Sequence, residues 1–317
     1  MRVVDVSEPD SALDSALLGV PVVAVGSLAD ASEFWLERAT FTLTEDHADD
    51  RRVITVASID AALSDLTARA ERWPIAAATC DDVLRSVDPA ASALSGVVTE
   101  SLAYSTLQAG PEFARWLAGR GPTVMPDIAD PVQAHRDGDT LRIAFNRPQR
   151  HNAFSTDARA ALLEVLAVAQ LDSSIAEVVL TGNGPSFCSG GDLDEFGTFA
   201  DPASAHLART RYSPALALDA VTRRLGAACR AEVHGQVLGS GLEMAAFCGR
   251  IEATPDAVFG LPELSLGLIP GAGGTVSVTR RIGRWRTAFL VLSGSSISVE
   301  TALTWGLVDA KSQPGGT

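Results

Sequence analysis

Apolar and polar residues alternate along the chain in runs whose two periods are typical of an α/β fold. In the second half, alternating residues predict a half-buried strand at Thr140–Phe145, and Ser155 or Thr156 then caps a helix with one apolar side. Strand-like runs follow at residues 178–181 and 230–233. The order of these elements predicts a sheet covered by helices.

The first 130 residues also mix strand-like and helix-like patterns. A short apolar run at residues 75–79 predicts a buried strand, and residues 93–117 have a mostly helical pattern. Tyr104, Glu112 and Trp116 could line a site in this part, although aromatic residues at helical spacing are more typical of a core. No residue here points to catalysis by its pattern alone.

The charge is unevenly distributed and divides the chain near residue 130. The net charge is −14, and residues 1–130 alone carry 9 Arg and Lys against 21 Asp and Glu. Because Gly and Pro are frequent at residues 119–131, we predict an acidic N-terminal unit at residues 1–130 and a second unit at residues 131–317. A chain this acidic repels phosphate backbones and anionic headgroups, so nucleic-acid and membrane-surface partners are not expected.

The 4 cysteines show neither metal-binding spacing nor pairing with the 5 histidines. They are predicted to be buried thiols in a reducing compartment, with no metal site. The first residues are acidic where a secretory or transit peptide would be basic, so a cytoplasmic location is expected.

Two glycine-rich turns follow strand-like runs in the second unit. Gly190 and Gly191 form the first turn, and residues 235–241 form the second, which leads into a helix. Such turns leave backbone N–H groups free to face a ligand that gains negative charge. At the first turn, an ordinary loop explains the glycines equally well.

Two carboxylates stand close to these turns in the sequence. Glu243 lies in the first turn of the predicted helix, and Glu263 follows Pro262. Neither residue needs a catalytic role. Glu243 could simply complement the helix dipole, and Glu263 could be a solvated carboxylate of a loop. Because the dinucleotide, P-loop and serine-nucleophile motifs are all missing, the combination instead favours proton transfer beside a polarised carbonyl.

Taken together, these segments resemble the crotonase superfamily of enoyl-CoA hydratases and isomerases. The resemblance covers residues 133–311 and rests on blocks in the expected order: Asn146-Arg147-Pro148 to Phe154, Val179 to Leu193, His234 to Glu243, Phe259 to Thr275, and Gly306-Leu307-Val308-Asp309. It implies a crotonase-type spiral of ββα units, preceded here by a smaller N-terminal α/β unit.

The resemblance also implies roles for individual residues. The backbone N–H groups of Ser189 and Ser240 correspond to the oxyanion hole that holds the thioester oxygen, and Glu243 and Glu263 to the acid/base pair of the hydratases. Arg147 and Arg150 are candidates for the phosphates of CoA. The remaining candidates match the stretches that bind CoA: Ala153, Gly190, Gly191, Asp192 and Leu193.

The implied activity is hydration of a 2-enoyl-CoA thioester, with CoA as part of the substrate and no further cofactor. Ser240 departs from the commoner glycine of its turn, and the chain ends soon after Asp309, where the family usually continues into helices that cover the CoA site. We expect residues 1–130 to pack on the second unit and replace part of that cover. Another reaction through a CoA enolate remains an alternative: isomerisation, thioester hydrolysis or cofactor-free oxygenation. A catalytically weak scaffold or partner subunit is the other alternative. The chain could form a trimer-based homo-oligomer or bind a companion subunit.

Overall fold

The computed structural model of the protein describes residues 1–7, 18–121, 129–199 and 201–312. Part of the predicted linker, residues 122–128, lies outside this range. Strands and helices are mixed throughout, which confirms the predicted α/β class.

The N-terminal part begins with a four-stranded parallel sheet in the order β1-β2-β3-β4. Its strands are β1 (Arg2–Asp5), β2 (Val22–Val25), β3 (Phe41–Thr44) and β4 (Val53–Thr55), with helix α1 (Glu33–Arg38) before β3. Four helices follow: α2 (Ile59–Arg72), α3 (Pro74–Ser86), α4 (Ala93–Gln108) and α5 (Pro111–Ala118).

The prediction of a strand at residues 75–79 is wrong, because these residues lie inside α3. Pro74 occupies the first turn, where its missing N–H costs nothing. Glu112 then caps the helix, since its two carboxylate oxygens accept hydrogen bonds from the N–H groups of Ile75 and Ala76, both at 2.9 Å. A short apolar run has no period that separates a strand from a buried helix, and the deciding partner is 36 residues away.

The second part contains a six-stranded sheet in the order β13-β10-β8-β7-β6-β5, parallel except for the first hairpin. Its strands are β5 (Val132–Asp137), β6 (Thr140–Phe145), β7 (Glu177–Gly182), β8 (Cys229–Val233), β10 (Arg250–Ala253) and β13 (Ala310–Lys311). The predicted strand at Thr140–Phe145 is therefore confirmed, as is the helix after it, which Ser155 caps by accepting from the N–H of Ala158.

A smaller three-stranded sheet, β12-β11-β9, lies beside the large one. Its strands are β9 (Gln236–Leu238), β11 (Val258–Gly260) and β12 (Ile297–Ser298). The helices of this part are α6 (Thr156–Leu171), α7 (Pro202–Arg211), α8 (Pro214–Leu225), α9 (Ser240–Phe247), α10 (Gly274–Ser293) and α11 (Val299–Trp305). Only from β8 to β11 do successive strands alternate between the large and the small sheet, with α9 between β9 and β10.

One hydrophobic core joins the two parts. It runs from Val23 and Phe41 in the N-terminal sheet to Val308 near the end of the described chain. Helix α4 lies so close to α10 that a Cβ at Gly96 would stand 2.4 Å from Val276. The expected packing of the N-terminal part on the second part is therefore observed.

All 4 cysteines are free and buried, as predicted. None of the described helices has the length and the apolar composition needed to cross a bilayer.

Candidate active site

A cavity of about 180 Å³ lies where the two parts of the chain meet. Helix α4 forms one wall, and the start of α6, the loop at residues 191–199 and the α7–α8 junction form others. Glu243 and Glu263 both line this cavity, so the structure brings together the two carboxyl groups that the sequence singled out.

Glu243 is held by the loop that leads into α10. Its Oε2 accepts hydrogen bonds from the N–H groups of Ala272 and Gly274, both at 2.7 Å. The side chain is almost fully buried, and burial raises its pKa to about 7, against the opposing effect of these N–H groups. The two hydrogen bonds favour the ionised form and fix the carboxyl group in the cavity wall.

Glu263 has a different environment from Glu243. It opens a short 3₁₀ turn directly after Pro262, and its Oε2 is buried without a hydrogen-bond partner. Burial raises its pKa well above the usual range, and the negative charge of Glu243 raises it further. These effects favour a protonated carboxyl group that can donate into the cavity.

A third buried carboxylate, Glu100 of α4, holds the same loop from the other side. It accepts from the N–H of Gly273 at 2.7 Å, and from the N–H and Oγ1 of Thr275 at 2.9 and 2.7 Å. Successive N–H groups of the loop thus alternate between Glu243 and Glu100. The sequence reasoning missed Glu100, although it is the one charged residue between Asp88 and Glu112.

Tyr104 and Gln108 also line the cavity from α4. Tyr104 thus lines the site and packs in the core at once, so both interpretations of that residue hold. Glu112 instead caps α3, as described above.

The backbone donors require one correction. The N–H of Ser189 donates to the carbonyl of His151 at 2.9 Å, so Ser189 is not available as an oxyanion donor. Among the described residues, neither the N–H of Gly191 nor that of Ser240 has an acceptor, and both residues line the cavity. Gly191 therefore replaces Ser189 as the candidate.

The two donor loops approach each other closely. A Cβ at Gly190 would lie 3.9 Å from the Cα of Gly239, and these two glycines have φ angles of +105° and +49°. The positive φ that this turn requires falls on Gly239, and the φ of Ser240 is not positive. The serine at this position is therefore tolerated without backbone strain.

The second part of the chain is similar to a known protein family. The family model described as enoyl-CoA hydratase/isomerase matches residues 136–312, more than half of the chain. The chain belongs to this family.

Relatives and solved structures agree with that assignment. A 2,3-dehydroadipyl-CoA hydratase of Escherichia coli is 38% identical over 173 residues, which are 55% of this chain and 66% of the relative. A mevalonyl-coenzyme A hydratase of Aspergillus fumigatus is 34% identical over 170 residues, which are 53% of this chain and 61% of the relative. The match thus spans slightly less than two thirds of these relatives.

Among solved structures, the enoyl-CoA hydratase of Thermoplasma volcanium is similar with a TM-score of 0.50 and 33% identity, over 58% of this chain and 72% of that one. The enoyl-CoA hydratase of Mycobacterium smegmatis has a TM-score of 0.51 and 29% identity, over 58% of this chain and 70% of that one. The predicted crotonase fold is therefore confirmed for the second part.

The residues that this family resemblance assigned to CoA are only partly at the cavity. Gly191 and Asp192 line it. Ala153, Gly190 and Leu193 lie in the adjoining segments without lining it. Arg150 is partly exposed and already pairs with Asp192 and Asp194 at 3.0 and 2.7 Å.

Arg147 is a structural residue, so its prediction as a phosphate ligand is wrong. Its guanidinium group is buried and pairs with Asp192 at 2.7 Å, and it also donates to the carbonyl of Ala153. These contacts tie the loop before α6 to the loop after Gly191. The sequence could show the arginine but not the buried partner that occupies it.

Arg147→Met is expected to lower the free energy of unfolding by about 2–4 kcal/mol, because it leaves the carboxylate of Asp192 buried. The loss falls toward the lower end for a broken buried pair because Arg150 still contacts Asp192. Urea denaturation of both proteins measures it. Arg142→Met is the matched control: Arg142 and Glu232 form an exposed pair at 3.5 Å, worth about 0–1 kcal/mol. Equal losses in the two variants would contradict the structural role.

The buried carboxyl groups also predict how stability depends on pH. Burial, and then the charge of Glu243, raises the pKa of Glu100 to about 8. The folded state therefore holds more protons than the unfolded state between about pH 4.5 and 8, and stability contributed by this group falls as the pH rises through that window. Below it both states are protonated, and above it both are ionised.

We therefore expect the free energy of unfolding of Glu100→Gln to depend less on pH than that of the wild type. Between pH 5 and pH 8 it should fall by roughly 2–4 kcal/mol less. Denaturation at pH 5 and pH 8 measures the difference, with exposed Glu164→Gln as the control. Parallel pH dependence in wild type and Glu100→Gln would show that Glu100 does not titrate in this range.

Proposed function

We propose that the chain catalyses the addition of water to a 2-enoyl-CoA thioester, giving a 3-hydroxyacyl-CoA. The observation that carries the proposal is that one cavity is lined both by two buried carboxyl groups, Glu243 and Glu263, and by Gly191 and Ser240, whose backbone N–H groups have no acceptor among the described residues. Family membership and the names of the two relatives support CoA thioesters as the substrate class.

In this mechanism, the N–H groups of Gly191 and Ser240 donate to the thioester oxygen. Negative charge accumulates on that oxygen as the enolate forms, so donors fixed in advance stabilise the transition state more than the substrate. Each donor of this kind is typically worth about 3–4 kcal/mol. Both donors belong to backbone, so side-chain substitution does not remove them.

The two glutamates take opposite roles in the addition. Glu243, whose ionised form is favoured by hydrogen bonds from two N–H groups, accepts a proton from water as the water oxygen bonds to C3. The double-bond electrons move to form the enolate, and protonated Glu263 then donates its proton to C2. Water is thus added across the double bond without oxidation or reduction, and CoA is the only cofactor moiety required, as part of the substrate.

Hydration is tested with crotonyl-CoA in water enriched in oxygen-18. The proposal predicts loss of the enoyl-thioester absorbance and a product that gains one labelled water by mass spectrometry. Tight binding of crotonyl-CoA without any labelled product would contradict hydration, and would favour another reaction through the enolate.

A further inference from the structure

Two arginines in the wall of the cavity lack a carboxylate partner. Arg159 of α6 and Arg209 of α7 both line the cavity, and neither forms an ion pair with any described residue. Other half-buried arginines without an ion pair, such as Arg69 and Arg284, donate to backbone carbonyl oxygens. Neither guanidinium group therefore has a carboxylate of the described residues within ion-pair distance, and Glu195 and Glu100 act on them only from farther away.

Arg209 is fixed in place by neutral groups of α4. It donates to Ser101 Oγ at 3.3 Å, to Gln108 Oε1 at 3.0 Å and to Ser105 Oγ. Its guanidinium carbon also lies 4.5 Å from the centre of the Tyr104 ring. These contacts orient the charge without cancelling it.

Arg159 makes no side-chain hydrogen bond to any described residue. It follows the first turn of α6, where the helix dipole disfavours a positive charge. Glu195 acts on Arg159 only at a distance, because its Oε2 accepts from the N–H and Oγ1 of Thr156 at 2.7 and 2.8 Å. The N–H donors of this half-buried guanidinium group are therefore available to a ligand in the cavity.

The two arginines act on each other and line the same cavity as Glu243 and Glu263. Burial lowers the pKa of both guanidinium groups, and the charge of Arg159 lowers that of Arg209 further. Tyr104 lies between the arginines and the carboxyl pair. Its ring packs against Gly271, and burial raises the pKa of its hydroxyl, which the charge of Arg209 lowers and that of Glu263 raises. The positive pair and the carboxyl pair therefore belong to one continuous binding space.

We propose that Arg159 and Arg209 form an anion subsite for the substrate, in addition to the groups that act on the thioester. The anion is an oxyanion of the substrate itself: a carboxylate at the far end of the acyl group, or a phosphate of CoA. The inference rests on the proposed function only in taking a CoA thioester as the ligand.

The test measures dissociation constants by calorimetry for three unreactive saturated thioesters. Hexanoyl-CoA and adipyl-CoA have the same chain length and differ in a terminal carboxylate, and adipyl-pantetheine keeps that carboxylate but lacks the CoA phosphates. Arg159→Met is the main variant because the Arg159 side chain makes no hydrogen bond to the part of the chain that the structure describes. Arg209→Lys keeps a charge but loses the fixed geometry, and exposed Arg211→Met is the matched control.

If the anion is the acyl carboxylate, Arg159→Met should weaken the binding of adipyl-CoA and adipyl-pantetheine by about tenfold to hundredfold. The affinity for hexanoyl-CoA should not change. If the anion is a CoA phosphate, the variant should lose the same affinity for both CoA thioesters and none for adipyl-pantetheine. Unchanged affinities for all three probes, or equal losses for all three, would overturn the anion subsite. Arg209→Lys is expected to follow the pattern of Arg159→Met with a smaller loss.

Because these probes need no turnover, the result is independent of hydration. Selective loss of affinity in a chain that does not hydrate crotonyl-CoA would support the subsite and refute the hydratase activity. Failure of the wild type to bind any of the three probes would overturn both.

Discussion

Glu263→Gln is expected to lower the hydration rate of crotonyl-CoA by about 10²- to 10⁴-fold, the usual contribution of a positioned acid or base. The amide keeps the size of the side chain but cannot deliver a proton to C2. Glu243→Gln is expected to cause a comparable loss, since the amide cannot accept the proton of the attacking water. The initial rate of loss of enoyl-thioester absorbance measures both.

The matched control is Glu164→Gln, an exposed glutamate of α6 with no described partner. It should leave the rate unchanged, and all three variants should keep the unfolding temperature within a few degrees of the wild type. Hydration by Glu263→Gln at the rate of the control would refute the two-glutamate mechanism.

The same variants separate hydration from enolate reactions that need one carboxylate. Exchange of the α-protons of butyryl-CoA in deuterated water requires the base and the oxyanion donors but no water addition. If Glu243 alone supports the enolate, Glu263→Gln retains this exchange while losing hydration. Loss of both activities is the result that the proposed mechanism predicts, because Glu263 is the group that exchanges a proton with C2.

A fragment of residues 131–317 is expected not to fold cooperatively. Removing the N-terminal part exposes the face of α10 that packs on α2, α3 and α4, and it removes the shared core from Val23 to Phe113. It also leaves the N–H groups of Gly273 and Thr275 without the carboxylate of Glu100. We expect a molten or insoluble fragment with weak near-ultraviolet circular dichroism and a broad unfolding transition.

A point variant tests the same contact in the full chain. Gly96→Val places side-chain atoms where Val276 already lies, since even a Cβ would be 2.4 Å from it. Separating α4 from α10 is expected to destabilise the protein by about 1–3 kcal/mol. Gly121→Ala is the control, because nothing lies within 4 Å of its Cβ position. A fragment that unfolds cooperatively, or a stable Gly96→Val protein, would contradict a shared core.

Much of the candidate site could be predicted because its residues are close in the sequence to the turns that position them. Glu243 stands four residues after Gly239, and Glu263 follows directly on Pro262. The turns and the start of the helix could therefore be predicted from neighbouring residues. What joins them in space is the adjacent placement of β9 and β11. Strand pairing of that kind follows from the family resemblance rather than from the residues alone.

The errors arose where a distant partner decides the structure. The N–H of Ser189 is occupied by the carbonyl of His151, and Arg147 is paired with Asp192. Glu100 acts across 173 residues on Gly273. Neither composition nor periodicity reports such contacts, because they depend on how the chain closes on itself.

The most direct test of this account is a crystal structure of the protein with butyryl-CoA, a saturated thioester that cannot be hydrated. We expect the thioester oxygen about 2.7–3.1 Å from the N–H nitrogens of Gly191 and Ser240. The C2 and C3 carbons should lie between the carboxyl groups of Glu243 and Glu263. A thioester bound outside this cavity, or one whose oxygen contacts neither nitrogen, would contradict the proposed active site.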